Sequence, residues 1–247
     1  GVAKESPVQP FRPPENSSKT LSATYQRPYH MHGSIGPSAA IALYDAQVLK
    51  VWTHSQGIFP LRLALADVLA LSEDKIHLVH VPGAGCYGHN GADDVALDAA
   101  LTARAVPGRP IMLKWERADE HAWEPFGSAM QIELKASLGD KGRVIFWNHE
   151  TYSDTHMSRP SVHRENSRLL AAWHLQTPRP APPVKPSLGY HTGIHRNADP
   201  IYDFSDRRVV KHLVRDLPLR VSALRSLGAY ANVFAIESFM DELAHAI

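Results

Sequence analysis

The chain has one cysteine, Cys86, in 247 residues. No intrachain disulfide can form, so the fold must hold by packing alone. There is no run of about 18 apolar residues, the usual minimum for a membrane-spanning helix, and no signal peptide. A charge surplus of either sign is also missing: 26 basic and 25 acidic residues leave a formal net charge of +1. The basic residues are scattered and not interleaved with aromatics, so neither nucleic acid nor an anionic membrane is expected as a partner. An initiator Met is absent, which suits a processed product or a piece of a longer chain. Two residue types are plentiful, His (15) and Pro (19), and the histidines invite a search for a metal site. With 44% hydrophobic content the chain has enough apolar residues for a real core, in one large or two small domains.

Residues 1–24, polar and proline-bearing, read as a tail or linker. From Ser38 the pattern alternates. "AAIALY" leads through Asp45-Ala46 to "QVLKVWT", with Val48, Lys50 and Trp52 on one face and Leu49, Val51 and Thr53 on the other, a β-hairpin. "SQGIFPLRLALADVLALSEDK" places Leu61, Leu65, Val68 and Leu69 at helical spacing, with Pro60 in the first turn. A strand "KIHLVHV", a glycine loop, a helix from about Asp93 to Ala105 and a strand "GRPIMLKWE" follow. Near Glu124-Pro125 the pattern restarts: "MQIELKASL" and "RVIFWNHETYS" form a second hairpin around Gly139-Asp140-Lys141-Gly142. Residues 153–200 are irregular and rich in proline, a length that points to a functional or partner-contacting arm. "RRVVKHLV" is a strand, and a final helix carries Val233, Ile236, Phe239 and Met240 on one face. The organisation expected is a first module over 25–123 and a second over 124–247, both α+β, with mixed sheets and helices packed on one side.

Gly83-Ala84-Gly85-Cys86-Tyr87-Gly88 is formally G-x-G-x-x-G, the dinucleotide fingerprint. That fingerprint needs a helix at once after the glycines and an acid roughly 20 residues on. Here His89-Asn90-Gly91-Ala92 intervenes, the helix opens with Asp93 and Asp94, and Glu116 comes 33 residues after Gly83. Two acids at the helix start would repel a pyrophosphate, so a dinucleotide is disfavoured. A wide strand-to-helix turn accounts for one or two glycines but not for Gly83, Gly85, Gly88 and Gly91 together. The loop reads instead as backbone offered to another ligand, such as an anion or an oxo group.

From about Tyr25 to the end the chain resembles the molybdopterin-binding large subunit of the xanthine dehydrogenase/aldehyde oxidase family, in particular its isoquinoline 1-oxidoreductase and nicotinate dehydrogenase branch. Three stretches carry the likeness. In "THSQGIFPLR", Gln56 matches a Gln that lies beside the molybdenum centre. In "GAGCYGHN", Tyr87 and Gly88 take the aromatic and glycine positions of a G-G-G-F-G-G-K type run that approaches the cofactor with Gly85, while Cys86 and His89 depart from the commoner pattern. In "ALRSLG", Arg225 matches an Arg near the cofactor, Leu227 takes the place of an aromatic residue lining the substrate funnel, and Gly228 follows. The resemblance implies a fold of the molybdenum-cofactor-binding domain type. Its cofactor is a molybdenum–pterin, as molybdopterin or its cytosine dinucleotide, and its reaction oxidises an N-heteroaromatic or aldehyde carbon with oxygen from water. Neutral amides and backbone N–H groups suit such a cofactor, because they position it without displacing a metal ligand.

The same resemblance implies a general-base Glu in a G-x-G-E type segment. Glu116, Glu120, Glu124, Glu133, Glu150, Glu165, Glu237 and Glu242 all lack that context. The expectation is therefore a fragment or one segment of a split subunit, inactive alone and without cofactor when alone. Its implied partners are the remainder of the large subunit, a small subunit with [2Fe–2S] clusters, a small-molecule substrate and, as an option in this branch, a cytochrome. The alternative is a non-catalytic scaffold or assembly module of the same fold. The compartment is left open between bacterial cytoplasm and periplasm. His149, His156, His163, His174, His191 and His195 show no metal-site spacing and read as surface or partner contacts. His30 and His32 read as structural or near the cofactor-domain interface. Cys86 reads as a small buried hydrophobe, no Ser-His-Asp order emerges around Ser34 or Ser55, and Trp115, Trp123, Trp147 and Trp173 read as core or interface aromatics.

Overall fold

A computed structural model describes residues 7–156, 159–161, 168–179, 181–189 and 192–247. Two four-stranded sheets dominate. The first is built from β2 (Ala39–Asp45), β3 (Val48–Thr53), β4 (Ile76–His80) and β5 (Ile111–Lys114), in the order β4-β3-β2-β5. β2 and β3 pair antiparallel through Ala46-Gln47, and both loop residues have positive φ (44° and 63°). That is the handedness a two-residue hairpin needs, reached without the usual glycine. β3 and β4 are parallel, which requires a crossover. Helix α1 (Ile58–Leu69) supplies it, with Leu61, Leu65, Val68 and Leu69 buried.

Helix α2 (Ala92–Ala105) lies on this sheet. Ala92, Ala96, Ala99, Ala100 and Ala103 are buried together with Val95 and Leu97. Small side chains let the helix axis lie close to β2 while keeping high helix propensity. The resulting core joins Leu49, Val51, Leu61, Leu65, Ile76 and Leu97, each fully buried side chain worth ~1.5–3 kcal/mol of transfer free energy.

The second sheet runs β1-β7-β8-β9: β1 (Lys19–Arg27), β7 (Met130–Leu138), β8 (Val144–Ser153) and β9 (Arg207–Leu213). β7 alternates cleanly, burying Met130, Ile132, Leu134, Ala136 and Leu138 against helix α4 (Ala229–His245). Trp147 is fully buried, stacked on Phe204 at 4.9 Å and tilted against Phe239 at 5.6 Å. A short α3 (Arg117–Trp123) links the sheets, and the two-residue strands β6 (Phe126–Gly127) and β10 (Val221–Ser222) pair parallel.

Several expectations need correction. The tail ends before Lys19, because β1 pairs with β7 along its whole length and packs Leu21, Ala23 and Tyr25 on the second core. The residues alternating with them are Thr and Ser, so composition hides the strand. The division at 123/124 is crossed twice: β1 sits on the second sheet, while Leu169 and Ala172 are buried in the first core. The described parts of the 153–200 arm thus dock on the chain itself. On α4, Val233 is 40% exposed and Asn232 takes its place in the buried stripe. The Asn232 amide donates to Ile194 O and Arg196 O (2.8 and 2.9 Å) and its oxygen accepts from the Thr151 hydroxyl (3.1 Å), tying the arm to α4 and β8. No helix among the described residues is long and apolar enough to cross a membrane.

Candidate functional site

The glycine loop connects β4 to α2, and its glycines serve close approach within the protein. A Cβ on Gly83 would meet the His54 ring at 2.7 Å, one on Gly91 the Trp115 ring at 2.4 Å, and one on Gly88 the Ala223 carbonyl oxygen at 2.1 Å. Gly85, Tyr87 and Gly88 have φ of +113°, +60° and +134°. Tyr87 is thus a bulky residue held in the left-handed region, a cost tolerated where surroundings over-determine the backbone. Its ring folds over Gly85 and stays 38% exposed. The Cys86 thiol donates to Gly88 O at 2.7 Å, and burial pushes its pKa up, so it stays protonated. Asn90 Oδ1, one residue before the N-cap Gly91, accepts from Ala92 N–H at the start of α2 (3.1 Å).

The loop is hydrogen-bonded to the "ALRSLG" segment. His89 N–H donates to Ala223 O and Arg225 N–H donates to Tyr87 O, both at 2.7 Å, an antiparallel bridge centred on Gly88 and Leu224. The segment then turns through Ser226 (φ +73°) and Leu227 (φ +54°) into α4. Arg27 Nη1 donates to Leu227 O at 2.7 Å and holds that turn from the end of β1. Arg27 is 3% exposed, and its lowered pKa comes from burial. His32 adds a second tether: Nε2 lies 2.9 Å from Ala223 O, and its backbone N–H donates to the buried Glu124 (2.8 Å).

Beneath the bridge lies a fully buried polar relay. His89 Nδ1 is 2.6 Å from Ser222 Oγ, and Nε2 is 2.7 Å from Asp93 Oδ2. The Ser55 hydroxyl donates to Asp93 Oδ1. Burial pushes the Asp93 carboxyl up, but the His89 and Ser55 bonds outweigh it and hold it below the usual carboxylate range. Ser222, His89 and Asp93 do assemble in space, against the expectation that no such set emerges. Each is at most 2% exposed, so the set is a structural relay closed to substrate. It joins the β3–α1 turn bearing Gln56, the glycine loop and the strand leading to Arg225. Asp94 is engaged as well: both oxygens accept from Arg220 (3.2 and 2.7 Å), and Oδ1 accepts from Leu170 N–H.

The exposed rim of this assembly carries Gln56, Tyr87 and Arg225, with Gly88 and Leu227 half-buried. Arg159 reaches the same rim. Its Nη2 is 3.4 Å from Gln56 Oε1 and 3.4 Å from Gly88 O, and Nε is 3.9 Å from Asp93 Oδ2. No motif marks Arg159, which sits in the irregular arm. The relay is equally unmarked, although the His89/Asp93 spacing on the way into a helix is a local signal.

His149 is fully buried, bonded to Thr151 and Asn232, and His156 is 3% exposed, so neither is a surface contact. His163, His191 and Glu165 lie outside the described residues. Trp115 and Trp147 are core residues, while Trp123 is 53% exposed. The other glutamates weighed as a base are engaged within the fold, among them Glu120 with Ser38, Glu124 with His32, Glu150 with Arg208 and His212, Glu237 with Tyr202 and Glu242 with Tyr25.

Comparison with known proteins identifies the class of domain that carries this glycine loop and strained turn. Residues 13–175 match the molybdopterin cofactor-binding domain model, and the chain belongs to that family. It is 38% identical over 231 residues to a nicotinate dehydrogenase subunit of Pseudomonas putida, covering 94% of this chain and 18% of the relative. It is 26% identical to the aldehyde oxidoreductase molybdenum-binding subunit of Escherichia coli, covering 91% of this chain and 26% of that protein. Its fold is that of quinoline 2-oxidoreductase from Pseudomonas putida 86 (TM-score 0.70, 17% identity, 93% of this chain and 27% of that one). The chain therefore spans about a fifth to a quarter of the length of these relatives.

Proposed function

We propose that this chain forms one wall of the molybdenum–pterin site in a molybdenum hydroxylase large subunit that oxidises N-heteroaromatic or aldehyde carbons with oxygen from water. The observation that carries it is the Gly88–Leu224 bridge, because it brings segments from distant parts of the chain to one rim with Gln56. The donor set fits the group. Gln56 offers a neutral amide, Arg159 and Arg225 are cationic, and the neighbouring Asp93 is buried behind the rim and already bonded. An anionic pterin phosphate or a metal-oxo group meets donors there and no exposed carboxylate from the relay.

When bound, the cofactor supplies the redox chemistry. The chain's residues bind and orient. Gln56 would help hold the group through its amide N–H. Gly85, Tyr87 and Gly88 present backbone at close range, and the Tyr87 ring screens one side from water. Arg225 contributes charge from the far side of the bridge, and Leu227 lines the substrate approach. The glutamates engaged within the fold leave proton removal to a group outside the described residues. A [2Fe–2S] subunit, and optionally a cytochrome, would accept the electrons; Cys86 is the one cysteine of these 247 residues and cannot hold a cluster by itself.

The test is Gln56→Ala in the complete large subunit made with its partners. Gln56 is exposed, so folding is preserved. Molybdenum and pterin content per subunit, or turnover of a heteroaromatic or aldehyde substrate, is expected to fall. Unchanged content and turnover remove Gln56 from the site. A wild-type assembly without molybdenum would instead favour the scaffold alternative.

A further inference from the structure

We propose that Arg159 is the anion-binding residue of this site, taking an oxyanion in its guanidinium fork: a phosphate or oxo group of the cofactor, or a carboxylate of the substrate. The inference rests on the cofactor-site reading above and adds a residue that no sequence motif marks.

The arginines of this chain differ in how fully their guanidinium groups are matched. Arg220 is closed, with a two-point contact to Asp94 and a bond to Trp123 O at 2.5 Å. Arg208 is closed on Glu150 at 2.7 Å, Asn148 and Gln9 O. These are the short, charge-assisted bonds a guanidinium makes when its charge is matched. Arg159 differs. Its contacts to Gln56 Oε1 and Gly88 O are 3.4 Å, at the long limit of hydrogen bonding, and its Nε is buried without a hydrogen-bond partner. Asp93, the carboxylate beside it at 3.9 Å, already has one oxygen on His89 and the other on Ser55. That carboxylate cannot turn to chelate the fork without breaking the buried relay. The Arg159 side chain is 34% exposed, so it is reachable from solvent, and its Cδ lies 3.8 Å from where a Cβ on Gly57 would stand. A planar fork with no short bond to any of the described residues, standing between a Gln amide and a glycine carbonyl, matches a two-oxygen anion in geometry and charge.

The two sources of that anion separate experimentally. Arg159→Gln and Arg159→Lys are made in the full-length subunit with its partners. Molybdenum is measured by elemental analysis, pterin by the fluorescence of its oxidised form, and KM for a carboxylated heteroaromatic against its uncharged analogue. If the cofactor supplies the anion, Arg159→Gln weakens cofactor affinity about tenfold, the loss expected for one charge-assisted bond, read as lower pterin and molybdenum content when cofactor is limiting, and Arg159→Lys restores part of it. If the substrate supplies it, content is unchanged and KM rises about tenfold for the carboxylated substrate alone. Content and both KM values within about twofold of wild type overturn the proposal, since a lost charge-assisted bond exceeds that. A wild-type assembly that carries neither molybdenum nor pterin overturns the cofactor-site reading itself, whereas a loaded wild type with a silent Arg159→Gln overturns this inference alone.

Discussion

The two segments that meet at the Gly88–Leu224 bridge reach their shapes by opposite means. The loop from Gly83 to Gly91 uses glycine at most of its close approaches, with Tyr87 at φ +60° as its exception, and Gly88 leaves no room for a methyl against Ala223 O. The turn from Leu224 to Gly228 puts Ser226 and Leu227, both with side chains, into left-handed backbone. It is held by tethers instead: Arg27 to Leu227 O, Leu227 N–H to Leu224 O and Ala229 N–H to Ser226 O. Glycine lowers the cost of a shape, whereas tethers carry a cost that remains. A site built from both has one wall relaxed except at Tyr87 and one strained wall, joined by two 2.7 Å backbone bonds.

The largest effect comes from filling the relaxed wall. Gly88→Ala puts a methyl group 2.1 Å from a backbone carbonyl at φ +134°. Overpacking and left-handed strain together predict a loss of about 3 kcal/mol. Chemical denaturation reads it directly. A variant as stable as wild type would show that the bridge gives way freely, and the two walls would not be coupled.

This contrast also sets what the sequence discloses. Glycines announce close approach, so the loop is visible as a functional feature, and the alternation of Val48–Thr53 and Met130–Leu138 announces the hairpins. The strained turn carries no such mark, because Ser and Leu at positive φ look like any Ser and Leu. The resemblance, not the pattern, points to Arg225 and Leu227. β1 escapes the pattern because its inward face offers only Leu21, Ala23 and Tyr25, alternating with exposed Thr20, Ser22 and Thr24. The relay of Ser55, Asp93, His89 and Ser222 spans long sequence separations, and pairing over such distances has no local signature. Arg159 is hidden for the same reason, inside an arm without periodicity.

The strained wall is expected to be the acid-sensitive one. His156, at φ +60°, is buried and within electrostatic reach of Arg27, the tether of Leu227. Burial first, and then the Arg27 charge, pull its pKa from 6.5 down to about 3. Below pH 6.5 the unfolded chain takes up a proton that the folded chain refuses. Stability is therefore complete above that pH and falls as pH drops toward 3. From pH 6.5 to 5 this one group removes about 2 kcal/mol. Buried His149, lowered to about 4, acts in the same direction, so the two must be separated. His156→Asn, which tolerates positive φ, is expected to flatten the stability–pH curve while leaving the His149 part. An unchanged curve would mean that His156 gains a proton partner on acidification.

The smallest effect has the opposite sign and tests the strain itself. Ser226 is exposed and sits at φ +73°. Glycine there relieves a left-handed cost of about 1–2 kcal/mol, partly offset by the greater freedom of the unfolded chain. Ser226→Gly is therefore expected to stabilise by about 0.5–1 kcal/mol, a rise of a few degrees in Tm for a chain of this size. The backbone bond from Ala229 N–H to Ser226 O does not depend on the side chain, so the turn keeps its shape. Substituting Ala into the relaxed wall and Gly into the strained wall should then move stability in opposite directions. A fall for Ser226→Gly would mean that the serine side chain is itself a tether, and the difference between the walls would be one of tether number and not of strain.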